Sequence, residues 1–146
     1  MKKRAFVFDD EAAIRHLLGV ILKARGYEVL DFSDPGLCPL YHAAECRCAK
    51  DQACGDLIIS DINMPSINGL AFVKRQKEIG CKIKNVALMS GAWSETELEC
   101  ARELGCAVFH KPFTMEAIEE WLDSCEESIN SGRVLTDWFK EAASHA

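Results

Sequence analysis

The sequence lacks several features that would place it in other classes of protein. No apolar run approaches the roughly 20 residues that a membrane-spanning helix needs, so we expect no membrane segment. The apolar stretch after the basic start covers only residues 5–8, which is shorter than the core of a secretory signal. We therefore expect a cytoplasmic protein. No internal repeat and no low-complexity stretch is present, which argues against a repeat architecture.

Clustered positive charge is also scarce. The formal net charge is −6, and the basic residues form no cluster beyond Lys2-Lys3-Arg4. A protein that binds nucleic acid needs a basic face to neutralise phosphates. We therefore expect no nucleic acid and no membrane among the partners.

The remaining composition is that of one globular domain. The chain has 146 residues, of which 49% are hydrophobic and 27% charged, and this is enough for a single core. Cysteine is the exception, with eight residues. In a cytoplasmic protein this number indicates free thiols or a metal site rather than a disulfide framework.

Short apolar runs alternate with segments of helical period. Strands are predicted over residues 5–9, 27–32, 57–61, 86–90 and 107–110. Helices are predicted over residues 11–25, 70–79 and 95–104, each ended by a glycine, and again after the capping residue Thr114. Strict alternation implies right-handed βαβ units. The predicted fold class is therefore α/β, a flavodoxin-like doubly wound five-stranded parallel sheet of order 2-1-3-4-5.

The chain divides into a domain over residues 1–128 and an additional C-terminal helix over residues 129–146. Leu135, Trp138, Phe139 and Ala142 fall on one face of that helix. We interpret it as docked on its own domain. If it is exposed instead, it is the natural element for a homodimer or a partner.

Chemically active side chains stand where the predicted strands end. The first strand ends on Asp9-Asp10, the third on Asp61, the fourth on Ser90 and the fifth on His110-Lys111. The carboxyl ends of parallel strands meet at one edge of a doubly wound sheet, and ligands bind there. We therefore expect these groups to converge.

Three neighbouring carboxylates need positive charge. Two like charges 4 Å apart near a protein surface repel each other by about 4 kcal/mol, and Lys111 supplies only one cation. Oxygen ligands suit a hard cation such as Mg²⁺. A carboxylate can also be the nucleophile of phosphoryl transfer, while a cation and a lysine neutralise the phosphoryl oxygens.

Four motifs at these positions resemble the receiver domains of bacterial two-component response regulators. They are Asp9-Asp10-Glu11, Asp61 to Pro65 with Asn68-Gly69, Ser90-Gly91-Ala92 and Lys111-Pro112-Phe113. The resemblance covers about residues 4–127, and the motifs are specific in combination. It identifies residues 1–128 as a receiver domain with a cysteine-rich insertion at residues 38–54.

The resemblance implies a role for each strand-end residue. Asp61 is the phosphoacceptor, and Asp9, Asp10 and Asp61 bind Mg²⁺ directly or through water. Asn63 contributes its backbone carbonyl to the metal.

The resemblance also assigns the other side of the site. Ser90 is the switch hydroxyl, Lys111 pairs with the phosphoryl group, and the Lys111-Pro112 bond is a cis peptide. The chain departs from the family three residues before the lysine, where Val108 replaces the usual aromatic and Phe109 follows one place later.

The implied function is a stand-alone response-regulator receiver. It accepts a phosphoryl group from a sensor histidine kinase or a phosphotransfer protein, and it signals through an unidentified protein or a phosphorelay. Such a domain catalyses its own phosphorylation and dephosphorylation without being a conventional enzyme. A phosphatase with an aspartate nucleophile fits less well, since Asp9-Asp10-Glu11 does not match its D-x-D-x-[TV] pattern.

The cysteine-rich insertion allows a different function. Cys38, Cys46, Cys48 and Cys54 could form a thiophilic metal site, for Zn²⁺ above all, and make the chain a metal- or redox-sensing module. Alternatively they pack as small hydrophobic residues or form a redox-sensitive disulfide.

Two residues of the site also have ordinary interpretations. Asp10 could cap the first helix, as aspartate often does. We interpret His110 as a residue of the rim, because nothing in the sequence pairs with it as a general base would require.

Overall fold

A computed structural model describes residues 2–48 and 52–140. Five strands and five helices alternate along the chain. The strands are β1 (Lys3–Phe8), β2 (Tyr27–Phe32), β3 (Leu57–Asp61), β4 (Asn85–Ser90) and β5 (Ala107–His110). The helices are α1 (Ala12–Ala24), α2 (Pro39–His42), α3 (Gly69–Glu78), α4 (Glu95–Glu103) and α5 (Met115–Ser128).

The five strands form one parallel sheet in the order β2-β1-β3-β4-β5. This confirms the predicted fold class and strand order, and every predicted strand lies within two residues of its observed bounds. Helix ends also follow the sequence. For example, α1 stops before Gly26, whose φ of 87° is a left-handed conformation that favours glycine.

The core has two layers because side chains alternate along each strand. On β1, Phe6 and Phe8 face one layer with Phe72 of α3. Ala5 and Val7 face the other layer, which also contains Leu18 of α1. Both faces of the sheet are therefore covered, as a parallel sheet requires. Among the described residues, no helix combines the length and the apolar character needed to cross a membrane.

The cysteine-rich insertion contains little regular structure. A 3-10 turn at Pro35–Leu37 leads into α2, which is a single turn with Cys38 as its N-cap residue. Pro39 at the start of α2 is compatible with a helix, but helical backbone does not continue past His42. The second helix of the fold is thus present and very short.

The chain after α5 forms what we call the C-terminal strap, residues 129–140. Its backbone is not helical until Trp138, so the extra C-terminal helix is small and starts later than residue 129. Phe139 packs edge-on against Phe6 with ring centroids 5.6 Å apart, which docks the strap on the core. Ala142, which we predicted on the same helix face, lies outside the described residues, and the division at residue 128 remains a prediction.

Candidate functional site

The register of the sheet places the predicted site residues at one edge. Phe8 of β1 pairs with Ser60 of β3, so Asp9 and Asp61, one residue further on, are neighbours. Ser90 is the last residue of β4, next to His110 of β5, and Lys111 follows directly. The convergence expected from the strand ends is therefore present.

Three carboxylates form the centre of this edge. Asp9, Asp10 and Asp61 each offer an oxygen, and these oxygens lie within 4.8 Å of one another. Asp9 is 0% exposed and Asp61 4% exposed, whereas Asp10 is exposed. Two of the three carboxylates are thus fixed in the protein interior, and the third faces solvent.

Lys111 reaches into the carboxylate cluster from the loop after β5. Its Nζ lies 2.9 Å from Asp9 Oδ2, 3.3 Å from Asp61 Oδ2 and 3.4 Å from Glu11 Oε1. The Lys111-Pro112 bond that precedes the α5 segment is cis, as the resemblance predicts. One ammonium therefore contacts both buried carboxylates.

The balance of charge at this edge stays negative. Burial, and after it the Asp9 carboxylate, raises the pKa of Asp61, although Lys111 and the Asn63 N–H act in the opposite direction. Burial acts to lower the pKa of Lys111, but Asp9 and Asp61 outweigh it and raise that pKa. Lys111 is therefore charged at neutral pH, and Asp61 still lacks sufficient compensation.

This donor set fits a hard cation. Carboxylate oxygens at mutual distances below 5 Å, with one of them open to solvent, match the way Mg²⁺ combines one or two carboxylates with water. A divalent ion would supply the positive charge that Lys111 alone does not. Asp9, Asp10 and Asp61 are thus the described residues that could hold one.

Ser90 and Asn63 line the same edge. The Ser90 Oγ accepts hydrogen bonds from Ala92 N (3.1 Å) and from Asn63 Nδ2 (3.4 Å), and the residue is fully buried. Asn63 N also faces Asp61 Oδ1 at 3.4 Å. Asn63 thus contacts both Asp61 and Ser90, while the roles of Asn63 and Ser90 in the chemistry remain predictions.

Capping does not explain Asp10. The N-cap residue of α1 is Glu11, whose side chain makes no capping hydrogen bond. Asp9 Oδ1 accepts the Glu11 N–H at 2.8 Å, and Arg15 Nη1 donates to Asp9 O at 2.7 Å. The interpretation of Asp10 as a helix cap is therefore wrong, and local bonds orient Asp9 instead.

Sequence reasoning missed two contacts around the site. Glu11, part of the acidic motif, joins the Lys111 contacts with an exposed carboxylate. Trp93 donates from Nε1 to Phe109 O at 2.9 Å and ties the loop after β4 to the edge strand. His110 is exposed beside the Trp93 ring, which agrees with a place on the rim. Only the position of Trp93, three residues after Ser90, could have suggested its contact.

The four cysteines predicted as a metal site do not form one among the described residues. The only group of three or more metal-binding side chains found there is the aspartate cluster. Cys38 and Cys54 are buried in the core layer that contains Phe6 and Phe8, and all eight cysteines are free thiols. The expected Zn²⁺ site is therefore not supported, because the sulfurs do not converge at ligand distance.

Replacing Asp61 with asparagine is expected to stabilise the Mg²⁺-free protein at neutral pH. The pKa of Asp61 in the folded state is raised above about 3.9, the ordinary value for aspartate, so folding disfavours the ionised carboxylate. The free energy of unfolding therefore decreases as the pH rises from about 3.9 through the raised pKa. The gain from Asp61→Asn is absent below that window and complete above it. Urea unfolding of both proteins between pH 4 and pH 7 measures it.

Excess Mg²⁺ serves as the control for this comparison. An ion that binds the folded state but not the unfolded state raises the free energy of unfolding, by about 2.7 kcal/mol when its concentration is a hundred times its Kd. Mg²⁺ should stabilise the wild type more than Asp61→Asn, because the wild type keeps the third carboxylate. The difference in stability between the two proteins should therefore become smaller. A variant that is less stable than the wild type at pH 7 without Mg²⁺ would contradict the electrostatic account.

Comparison of the sequence with known proteins finds the family that the motifs at the sheet edge resemble. Residues 5–123 match the family model of the response regulator receiver domain. Sporulation initiation phosphotransferase F of Bacillus subtilis is 27% identical over 121 residues, which cover 82% of this chain and 90% of that protein. The sensor histidine kinase RcsC of Salmonella typhi is 24% identical over 127 residues, which cover 87% of this chain. The chain spans only 13% of that kinase.

Solved structures share the architecture. Chemotaxis protein CheY4 of Vibrio cholerae superposes with a TM-score of 0.67 at 26% identity, covering 86% of this chain and 99% of that one. A response regulator receiver protein from Pseudomonas putida reaches a TM-score of 0.70 at 22% identity, over 85% of this chain and 98% of its own, which supports the fold. The fold, the aspartate cluster with its lysine and the family match together show that this chain belongs to the response-regulator receiver domain family of two-component signalling.

Proposed function

We propose that Asp61 accepts a phosphoryl group in a Mg²⁺-dependent reaction, and that the donor is a sensor histidine kinase or a phosphotransfer protein. The observation that carries this proposal is the position of Lys111 Nζ, 3.3 Å from Asp61 Oδ2 and 2.9 Å from Asp9 Oδ2. The names of two relatives, a sensor histidine kinase and a phosphotransferase, agree with such a donor.

The chain supplies the nucleophile and the groups around it. An Asp61 carboxylate oxygen attacks the phosphorus, and the bond to the donor breaks, which leaves an acyl phosphate on Asp61. In this proposal Lys111 pairs with the phosphoryl oxygens, which carry the negative charge once the Asp61 carboxylate has become an acyl phosphate. When bound by Asp9, Asp10, Asp61 and the Asn63 carbonyl, Mg²⁺ neutralises charge that develops on the transferred group.

The signal can leave the site through the loop after β4. In the structure Ser90 Oγ accepts from Ala92 N and Asn63 Nδ2, and Trp93 holds the same loop to β5. A phosphoryl oxygen on Asp61 competes for these donors and is an acceptor for the Ser90 hydroxyl. The proposed switch is therefore a rearrangement of the loop between Ser90 and Trp93, which a protein partner detects.

The proposal also covers the protein's own catalysis, its location and its output. Because the chain itself holds nucleophile and lysine, it should catalyse its own phosphorylation from a small donor and its own dephosphorylation. A cytoplasmic location would keep its eight free thiols reduced. The downstream protein, and a homodimer as a form of output, remain predictions.

Phosphorylation can be tested by intact mass. The protein is incubated with acetyl phosphate and Mg²⁺ beside Asp61→Asn and Asp123→Asn. Asp123 is an exposed carboxylate of α5 paired with Arg25, so it controls for non-specific reaction. We expect one added phosphoryl group in the wild type and in Asp123→Asn, and none in Asp61→Asn or without Mg²⁺.

Hydrolysis could hide a true phosphoacceptor, and a second probe removes that ambiguity. Release of inorganic phosphate from acetyl phosphate, measured over time, reveals turnover even when no adduct accumulates. A folded wild type that shows neither the adduct nor phosphate release above the Asp61→Asn background would overturn the proposal. Equal mass gain in Asp61→Asn would overturn the assignment to Asp61.

A further inference from the structure

The exposed carboxylate of the aspartate cluster, that of Asp10, is the least supported of the three. Its side chain faces solvent, whereas those of Asp9 and Asp61 are buried. Within the described part of the chain, the ion pairs of Lys111 go to Asp9, Asp61 and Glu11, and none reaches Asp10. The position of the Asp10 carboxylate therefore depends on the backbone that carries it.

The peptide unit between Asp9 and Asp10 is held by two hydrogen bonds at Asp9. Asp9 N donates to Phe32 O at 3.1 Å, which continues the pairing of β1 with β2. Asp9 O accepts from Arg15 Nη1 at 2.7 Å. A peptide unit is planar from one Cα to the next, so a bond to Asp9 O sets the orientation of the plane and the position of Asp10 Cα. Arg15 thus acts on the residue that carries the exposed carboxylate.

Arg15 is itself fixed from two sides. Its backbone N donates to Glu11 O at 3.1 Å in the first turn of α1, and its Nε donates to Asp31 Oδ2 at 3.3 Å. Asp31 pairs with Val7 in the sheet, two residues before Asp9. The Arg15 side chain, which is 21% exposed, therefore reaches from α1 towards β2 and meets the Asp9 carbonyl at the end of β1.

We propose that Arg15 is a positioning residue for the Mg²⁺ site. It orients the peptide unit between Asp9 and Asp10 so that the Asp10 oxygen stays with those of Asp9 and Asp61, the donor set for the ion. This inference rests on the proposed function and adds a residue that is not itself a ligand. The charge of Arg15 acts in the opposite direction, because a guanidinium near the site repels a cation.

Arg15→Met is expected to raise the Kd for Mg²⁺ about tenfold or more. Loss of a group that orients a metal ligand typically weakens metal binding by about 10- to 100-fold. Calorimetric titration of the full chain with MgCl₂ measures the Kd. Removal of the positive charge alone would lower the Kd, so an increase identifies the hydrogen bond to Asp9 O as the cause.

Arg25→Met is the matched control, at the other end of α1. The Arg25 side chain is 22% exposed, it donates from Nη1 to Glu119 O at 3.1 Å and it pairs with Asp123. It therefore has the same kinds of partner as Arg15, a carbonyl and an exposed carboxylate. We expect Arg25→Met to keep the wild-type Kd for Mg²⁺.

A conservative variant and the reaction rate separate positioning from direct contact. Arg15→Lys keeps the charge and one donor group, so its Kd for Mg²⁺ should lie between those of the wild type and Arg15→Met. At saturating Mg²⁺ the phosphorylation rate of Arg15→Met should approach that of the wild type, with an unchanged KM for acetyl phosphate. A rate that stays low together with a raised KM would place Arg15 in contact with the donor and contradict the positioning role.

The Mg²⁺-free protein offers a readout that needs neither the ion nor the reaction. The ¹³C resonance of the Asp9 carbonyl responds to its hydrogen bond, so it should shift in Arg15→Met and not in Arg25→Met. The same spectra show whether the variants are folded.

Failure of this inference can be told apart from failure of the proposed function. A wild type that binds Mg²⁺ but gains no phosphoryl group and releases no phosphate would overturn the phosphorylation proposal only, because the comparison of Kd values does not use that reaction. A folded Arg15→Met with the wild-type Kd for Mg²⁺ and an unshifted Asp9 carbonyl resonance would overturn the role of Arg15 only.

Discussion

Gly69→Ala is expected to destabilise the protein by about 3 kcal/mol or more, the upper part of the range for overpacked sites. A Cβ at Gly69 would lie 2.1 Å from the backbone oxygen of Asp61 and 3.1 Å from Ile62 Cα. These are backbone atoms at the end of a buried strand, and Gly69 N also donates to Ile62 O at 2.8 Å. The methyl group can be accommodated only if the end of β3 moves, which displaces Asp61.

A matched glycine gives the opposite expectation. Gly19 lies inside α1, and a Cβ there would meet nothing within 4 Å. Gly19→Ala should therefore stabilise the protein by roughly 0.5–1 kcal/mol through the helix propensity of alanine. Urea unfolding of both variants beside the wild type measures the two effects with opposite signs.

Gly69→Ala also tests whether the packing around Gly69 positions Asp61 for phosphorylation. At a temperature where Gly69→Ala remains folded, we expect its rate of phosphorylation by acetyl phosphate to fall at least about tenfold, because misplacement by a fraction of an ångström costs catalysis. Gly19→Ala should keep the wild-type rate. If Gly69→Ala loses less than 1 kcal/mol, the close approach of α3 to the Asp61 carbonyl does not constrain the site.

The predictable part of this protein lies in features that local sequence determines. Five apolar runs specify the parallel sheet, and residues that end a run must stand at its carboxyl edge. The sequence therefore predicts that one site contains Asp9, Asp61, Ser90 and Lys111, although these residues are up to 102 positions apart. The geometry of a parallel sheet converts four local signals into one site.

Other parts depend on contacts that no local pattern reports. Arg4 belongs to the basic start of the sequence and looks like a surface charge, yet it is fully buried. Its partners include Asp137, which is 133 positions away. The close approach of Gly69 to the Asp61 carbonyl is of the same kind. Tertiary packing, rather than propensity or periodicity, creates these contacts.

Arg4→Met is expected to cost about 2–4 kcal/mol and to release the C-terminal strap. The Arg4 guanidinium donates to Glu28 Oε1 at 2.8 Å, Asp137 Oδ1 at 2.6 Å and the carbonyls of Cys54 and Thr136 at 3.0 and 3.2 Å. The two carboxylates can be rehydrated, because they are a third to a half exposed. The Cys54 carbonyl lies in the interior and would lose its donor, and this loss accounts for much of the cost.

Lys140 provides the matched control because it reaches the same two carboxylates from solvent. Its Nζ lies 3.6 Å from Glu28 and 3.7 Å from Asp137, and its side chain is 48% exposed. Lys140→Met should cost no more than about 0.5–1 kcal/mol, as exposed ion pairs do. Denaturant unfolding measures both variants, and hydrogen exchange at Thr136 N, which donates to Ala53 O, reports on the strap. If the two variants lose equal stability, the effect of Arg4 comes from its charge; if Arg4→Met alone speeds exchange at Thr136, its buried hydrogen bonds hold the strap.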